Sequence, residues 1–114
     1  VTAPDSALVM NSDSLPICEA MLKEGGLLVV NSTLVKESPK RGGIKTVTVE
    51  ATALAGEIGN ARFANMVALG AMAKLTGALA LTEVEEILKK FFPVDKHRFI
   101  PMNVKAIRAG FEAV

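Results

Sequence analysis

Apolar residues occur in short consecutive runs near the start of the chain and at helical spacing through its second half, and that change of period divides the sequence. Ser6 to Met10 is a run too brief for a helix, ended by the turn-forming cluster Asn11-Ser12-Asp13-Ser14, and reads as a strand. Ser14 is placed to cap a helix reaching about Lys23, with Pro16 in its first turn and Leu15, Cys18 and Leu22 on one stripe, before Gly25-Gly26 ends it. Leu27 to Val30 is apolar at every position, as in a strand covered on both faces. Strand, helix and strand so arranged make a βαβ unit with a right-handed crossover.

From Asn31 to Gly43 the chain turns polar and forms the longest loop. Lys45 to Glu50 then alternates Val47 and Val49 with Thr46 and Thr48, the period of a half-exposed edge strand. Everything after it reads as helix. Ala51 to Ile58 is a short one closed by Gly59, and Asn60 is placed to cap a long one from about Ala61 to Thr76, with Gly77 beyond its end. Thr82 and Glu85 have the spacing of a capping box, opening a helix whose Val84, Ile87, Leu88 and Phe91 share a face until Pro93 stops it. The last helix carries Ile100, Val104, Ile107 and Phe111 on one side, with Pro101 in its first turn.

Three strands with so many helices is an α/β pattern with a mostly parallel sheet and a helix-rich C-terminal half, and one feature of it is incomplete. A parallel sheet needs both faces covered and its edges managed, yet nothing before Ser6 supplies a neighbour for the first strand. The 114 residues, half of them hydrophobic, fit one domain spanning 1–114 with a genuine core. The first residue is Val1 rather than Met, which implies a gene product that begins earlier.

Charge and composition remove several function classes. Thirteen basic and twelve acidic residues leave a net +1, and the basic excess is local to Lys36, Lys40, Arg41 and Lys45. All five Phe lie at or after Phe63, away from that loop, so the basic face with interleaved aromatics that a nucleic-acid binder uses is missing. The most apolar window, Ala64 to Leu81, is broken by Gly70, Lys74 and Gly77, and suits a buried helix rather than a membrane span. No secretory signal is visible, so a cytoplasmic location is expected.

Candidate chemistry is sparse. One cysteine, Cys18, and one histidine, His97, give no metal-ligand spacing, and neither has neighbours that complete a catalytic relay. Cys18 reads as a small buried hydrophobe, His97 as a surface residue, and Glu83, Glu85 and Glu86 as anions favoured at a helix start. Neither glycine pair forms a dinucleotide-binding turn. The loop from Asn31 leaves the carboxyl end of a buried parallel strand, where open α/β sheets bind ligands, and Lys36, Lys40 and Arg41 follow it as a potential attraction for phosphates. Asn65 stands among Ala64, Met66 and Val67, so a buried amide there needs a partner, within the domain or on another subunit. The small residues Ala64, Ala68, Gly70, Ala71 and Ala73 would let a neighbouring element approach closely.

Taken together, "ALVMN" after Pro4-Asp5, "MLKEGGLLVVNSTLV", "AGEIGNARFANMVALGAMAKLTG", "EEILKKFFP" and "NVKAIRAG" resemble the gamma subunit, or gamma domain, of the 2-oxoacid:ferredoxin oxidoreductases, the pyruvate and 2-oxoglutarate enzymes among them. The resemblance covers nearly the whole chain, and the block from Gly59-Asn60 to Gly70 is its most specific part. One departure is plain: the family's gamma unit opens with a Gly-rich strand-turn-helix segment that this chain lacks. The resemblance therefore implies the C-terminal part of a gamma unit.

It implies a Rossmann-like three-layer fold, and a subunit that is not catalytic alone. The complex would carry out CoA-dependent oxidative decarboxylation of a 2-oxoacid to an acyl-CoA, passing electrons to ferredoxin. Thiamine diphosphate, Mg, iron–sulfur clusters and coenzyme A would belong to the complex, with none bound by this chain alone. Its partners would be the alpha, beta and ferredoxin-like subunits, with a homo-oligomer as the expectation in isolation, and with no nucleic acid and no membrane. By resemblance Asn31, Ser32, Asn60 and Asn65 occupy motif positions as ligand or subunit contacts, none of them catalytic and none binding metal. The "FFP…NVKAIRAG" end leans toward 2-oxoglutarate, while pyruvate and branched-chain oxoacids stay open. The competing expectations are a stand-alone nucleotide or CoA-binding module using the loop after Val30, and a purely structural interaction module.

Overall fold

In the computed structural model, which describes residues 4–77 and 80–114, β1 (Ser6–Val9), β2 (Leu27–Asn31) and β3 (Lys45–Val49) pair in parallel in that order. The register sets Val9 beside Val30 and Val29 beside Val47. Side chains alternate across the sheet, so each face gathers its own core. On one face Val9, Leu28 and Val30 pack against Leu15 and Leu22, around helix α1 (Ser14–Met21), and against Val35 of the following loop. On the other, Val29 and Val49 pack against Ala51 and Ala55 of α2 (Ala51–Ile58) and against Val67, Ala68 and Ala71 of α3 (Ala64–Thr76). The result is the expected three-layer α/β arrangement, with β2 covered on both faces and β1 paired on one side among the described strands. Each fully buried Val or Leu contributes about 1.5–3 kcal/mol to this core.

Local differences from the sequence reading have simple causes. Helix α1 stops at Met21, where Leu22 turns extended, and the guanidinium of Arg41 satisfies the carbonyls of Glu19 and Leu22 at 2.7 and 2.6 Å. Its start is held by a pair of bonds with Asn11, whose Oδ1 accepts from the Ser14 N–H at 3.1 Å and whose carbonyl oxygen accepts from the Ser14 hydroxyl at 3.0 Å, so Ser14 is the first helical residue rather than the cap. Asn60 does cap as expected, accepting from the Arg62 N–H at 2.9 Å, but what it caps is a 3-10 turn (Ala61–Phe63) leading into α3. Thr82 lies in a second such turn (Leu81–Glu83), so α4 (Val84–Phe91) begins without a side-chain cap from its preceding residue. Of the apolar window that runs on past Gly77, residues 78 and 79 lie outside the described ones.

The final helix, α5 (Ile100–Ala113), packs against α3 more extensively than any other helix, and the two run parallel. At their starts Phe63 and Asn103 border one cavity, while at their ends Lys74 reaches the Val114 carbonyl oxygen and lies 5.7 Å from the Phe111 ring centre. A 3-10 elbow (Val94–Phe99) joins α4 to α5. No described helix is long and apolar enough to cross a membrane.

Candidate functional site

Because α3 and α5 are parallel, their N-terminal ends sit together, and the elbow after α4 folds over them. Pro93 forces that elbow by ending α4, and the His97 Nε2 fixes it with a 3.0 Å bond to the Phe92 carbonyl oxygen. His97 is half-buried, so the sequence reading of a plain surface histidine is corrected: it staples a turn. Between elbow and helix starts opens a cavity of about 620 Å³ lined by Phe63, Phe92, Pro93 and Phe99, with the amides of Asn60 and Asn103 and the cations of Arg62 and Lys96.

Its electrostatics are one-sided. Lys96 Nζ and the Arg98 guanidinium flank the Phe99 ring at 5.8 and 4.9 Å from its centre. Among the described residues Arg62, Lys96 and Arg98 make no ion pair, and no carboxylate lines the cavity. The positive ends of α3 and α5 add to this field, against the negative end of the shorter α4, whose C-cap residue Phe92 lines the same cavity. Asn103, only 6% exposed, donates its Nδ2 to the Phe99 carbonyl oxygen at 2.8 Å, which leaves its Oδ1 as an acceptor bordering the cavity. The cavity is thus aromatic in its walls, cationic at its rim and equipped with amides for hydrogen bonding.

The residues singled out from the sequence divide around this geometry. Asn60 lies on the cavity. Asn65 does not: it is exposed on α3, so water satisfies it and the inferred need for a partner inside the domain falls away. Asn31 is buried at 1% exposure, and its side chain is fully engaged. Its Nδ2 donates to the Met10 carbonyl at 3.3 Å and to Thr52 Oγ1 at 2.9 Å, while its Oδ1 accepts from the Thr52 N–H at 3.3 Å. Those bonds join the ends of β1 and β2 to the start of α2. Ser32 borders a smaller cavity of about 370 Å³ with Lys36, Glu37, Thr48 and Glu50.

Two of the three loop cations are less available than their sequence positions promised, while Lys40 stays exposed. Lys36 Nζ turns back onto the Ser32 carbonyl at 2.8 Å, and Arg41 is committed to the end of α1. Glu37, next to them, has its carboxyl held below the ordinary range by its own backbone N–H first, and then by the Ser12 hydroxyl at 3.1 Å. Cys18 packs half-buried with the α1 core, its thiol 3.8 Å from the Leu8 carbonyl oxygen. Among the described residues no group of three His, Cys, Asp or Glu side chains stands close enough to hold a metal.

What the sequence reading missed is the set Phe92, Phe99, His97 and Asn103. A signal for Asn103 existed, since it lies three residues after Ile100 and four before Ile107 and so falls on the apolar stripe of the last helix. A polar residue on a buried face marks either a structural bond or a site, and Asn103 makes such a bond while bordering the cavity.

Known proteins share this sequence and this fold. The family model described as pyruvate ferredoxin/flavodoxin oxidoreductase matches residues 1–113. The chain is 36% identical over 115 residues to the common gamma subunit of the pyruvate/ketoisovalerate oxidoreductases of Thermococcus litoralis, covering 96% of this chain and 60% of that one. It is 30% identical to the KorC subunit of 2-oxoglutarate synthase from Methanothermobacter marburgensis, over all of this chain and 63% of the relative. The crystal structure of a keto/oxoacid ferredoxin oxidoreductase gamma subunit from Geobacter sulfurreducens superposes with a TM-score of 0.82 at 34% identity, covering 96% of this chain and 63% of that one. The chain spans about three-fifths of the length of such relatives. On sequence and fold alike, it belongs to the pyruvate ferredoxin/flavodoxin oxidoreductase family.

Proposed function

We propose that this chain is the C-terminal part of the gamma unit of a 2-oxoacid:ferredoxin oxidoreductase. It supports CoA-dependent oxidative decarboxylation of a 2-oxoacid in the cytoplasm without catalysing the reaction by itself. The observation that carries the reading is the agreement, over nearly the whole chain, with gamma subunits in both sequence and fold. The chemistry of its side chains is in keeping with a supporting role. One half-buried thiol and one histidine bound to a backbone carbonyl offer neither a cluster-ligand set nor an acid–base relay. Thiamine diphosphate, Mg, iron–sulfur clusters and coenzyme A belong in this reading to the complex formed with alpha, beta and ferredoxin-like subunits.

Within that role Asn60 and Asn65, both exposed near the start of α3, are the contacts to a ligand or neighbouring subunit, whereas Asn31 positions the loop that carries Ser32. The competing reading, a stand-alone nucleotide or CoA module at that loop, is less well supported. The cavity beside Ser32 is lined by the carboxylates of Glu37 and Glu50, which repel phosphates, and Lys36 is turned onto backbone.

The test is production of the full-length chain with and without the subunits encoded beside it, assaying CoA-dependent reduction of ferredoxin by pyruvate, 2-oxoglutarate and a branched-chain oxoacid. The expected result is activity in the assembly alone, with one oxoacid preferred. Activity of the isolated chain, or no association with a thiamine-binding subunit, refutes the proposal.

A further inference from the structure

Next in sequence to two residues of the cavity wall stand two exposed apolar side chains that the cavity does not itself explain. Phe91 is 79% exposed and Val94 84%, the two largest exposures among the big hydrophobic residues described, and they flank Phe92 and Pro93 of the cavity wall. Exposed aromatic and aliphatic surface in this concentration marks an interaction site. A small molecule filling the cavity would leave both side chains in water. A protein surface covers cavity and rim together.

We infer that this elbow is a subunit contact, and that its occupant is an acidic segment of a neighbouring subunit that inserts an apolar side chain between Phe63, Phe92 and Phe99. The charge pattern identifies the partner's chemistry. Arg62 and Lys96 line the cavity and Arg98 lies on the Phe99 ring of its wall, with no carboxylate of their own among the described residues, so an acidic segment completes them. The free Oδ1 of Asn103 and the amide of Asn60 suit a backbone N–H and C=O, the groups an inserted segment must satisfy once it leaves water. Buried aromatic and arginine anchors of this kind carry most of the energy of an interface. The inference rests on the chain being a subunit of a complex.

The experiment uses the full-length chain co-produced with the subunits encoded beside it, with association measured by surface-immobilised titration at several salt concentrations and coenzyme A binding by calorimetry. The pair Phe91→Ser with Val94→Ser removes exposed surface, so the fold survives. It should weaken association at least about tenfold, while Ile17→Ser, which removes an exposed residue of α1, should leave it unchanged. The pair Arg62→Gln with Lys96→Gln should flatten the salt dependence of association. Wild-type assembly with both variant pairs binding as tightly overturns this inference and leaves the proposed function standing. Variants that assemble normally but lose coenzyme A show a small-molecule site and also overturn it. A wild-type chain that joins no subunit instead refutes the proposed function, and this inference with it.

Discussion

Gly70 and Gly110 sit at matching places on two parallel helices, each against the carbonyl oxygen three residues before the other: Gly70 against that of Ile107, and Gly110 against that of Val67. A β-carbon at either position would overlap the opposing backbone, which cannot move aside as a side chain can.

Gly70→Ala and Gly110→Ala should each therefore destabilise the chain by about 3 kcal/mol through overpacking, despite alanine's better helix propensity. Gly56 gives the contrast, since it lies inside α2 with nothing within 4 Å of the place a β-carbon would take. Gly56→Ala should stabilise by about 0.5–1 kcal/mol. Thermal unfolding of the three variants checks both signs, and an unchanged midpoint for Gly70→Ala would contradict the close crossing.

Asn31 and Thr52 exchange bonds in both directions across the ends of two layers. Asn31→Ala leaves the Thr52 N–H without its acceptor and should cost about 1–3 kcal/mol, whereas Thr52→Val removes a single hydroxyl and should cost about 1 kcal/mol. Urea unfolding of the singles and the double should show strong coupling between them, and simple additivity would contradict a shared knot.

Arg41 closes α1 with two bonds to backbone carbonyls and adds a 3.4 Å pair with Glu24, whose side chain is largely exposed. The carbonyl bonds outweigh the exposed pair. Arg41→Ala should cost about 1–2 kcal/mol and Arg41→Lys should recover part of it, because both carbonyl bonds come from the single nitrogen Nη1 and an ammonium can donate two, while the Nη2 contact with Glu24 is lost. Glu24→Gln should change the unfolding midpoint little. Equal losses for Arg41→Ala and Glu24→Gln would reverse the ranking.

The carboxyl of Glu37 is held below its ordinary range by its own N–H first and then by the Ser12 hydroxyl. A folded-state value below the unfolded one means that its contribution is present above the ordinary glutamate range, near ~4.3, and fades as pH falls through the lowered value. Ser12→Ala should move the titration of Glu37 back upward. Carbon-detected NMR of the side-chain carboxyl follows it directly, and an unmoved titration would assign the whole shift to the backbone.

The fold was legible where period alone decides. The consecutive apolar positions of Leu27 to Val30 required cover on both faces, and the sheet supplies it. Alternation in Val47 and Val49 likewise marked β3 as a half-exposed edge strand, and it lies at one edge of the described sheet. The site was less legible, because its parts come from segments some forty residues apart and meet only through the parallel pairing of α3 and α5. No local pattern brings Asn60 to Asn103, or tells that Asn65 near the same helix start faces water. Arg41 looked like a loop cation in the sequence, since nothing nearby in the chain reveals that the carbonyls of Glu19 and Leu22 lie within its reach.

The glycine crossing has a consequence for how the cavity can change over time. Gly70 stands seven residues from Phe63, about 10 Å along the helix, and Gly110 the same distance from Asn103. With backbone resting on backbone, the spacing of those two walls is fixed by peptide groups for as long as Gly70 and Gly110 are kept. Rings and charges at the mouth can then be exchanged one at a time without disturbing the frame that holds them.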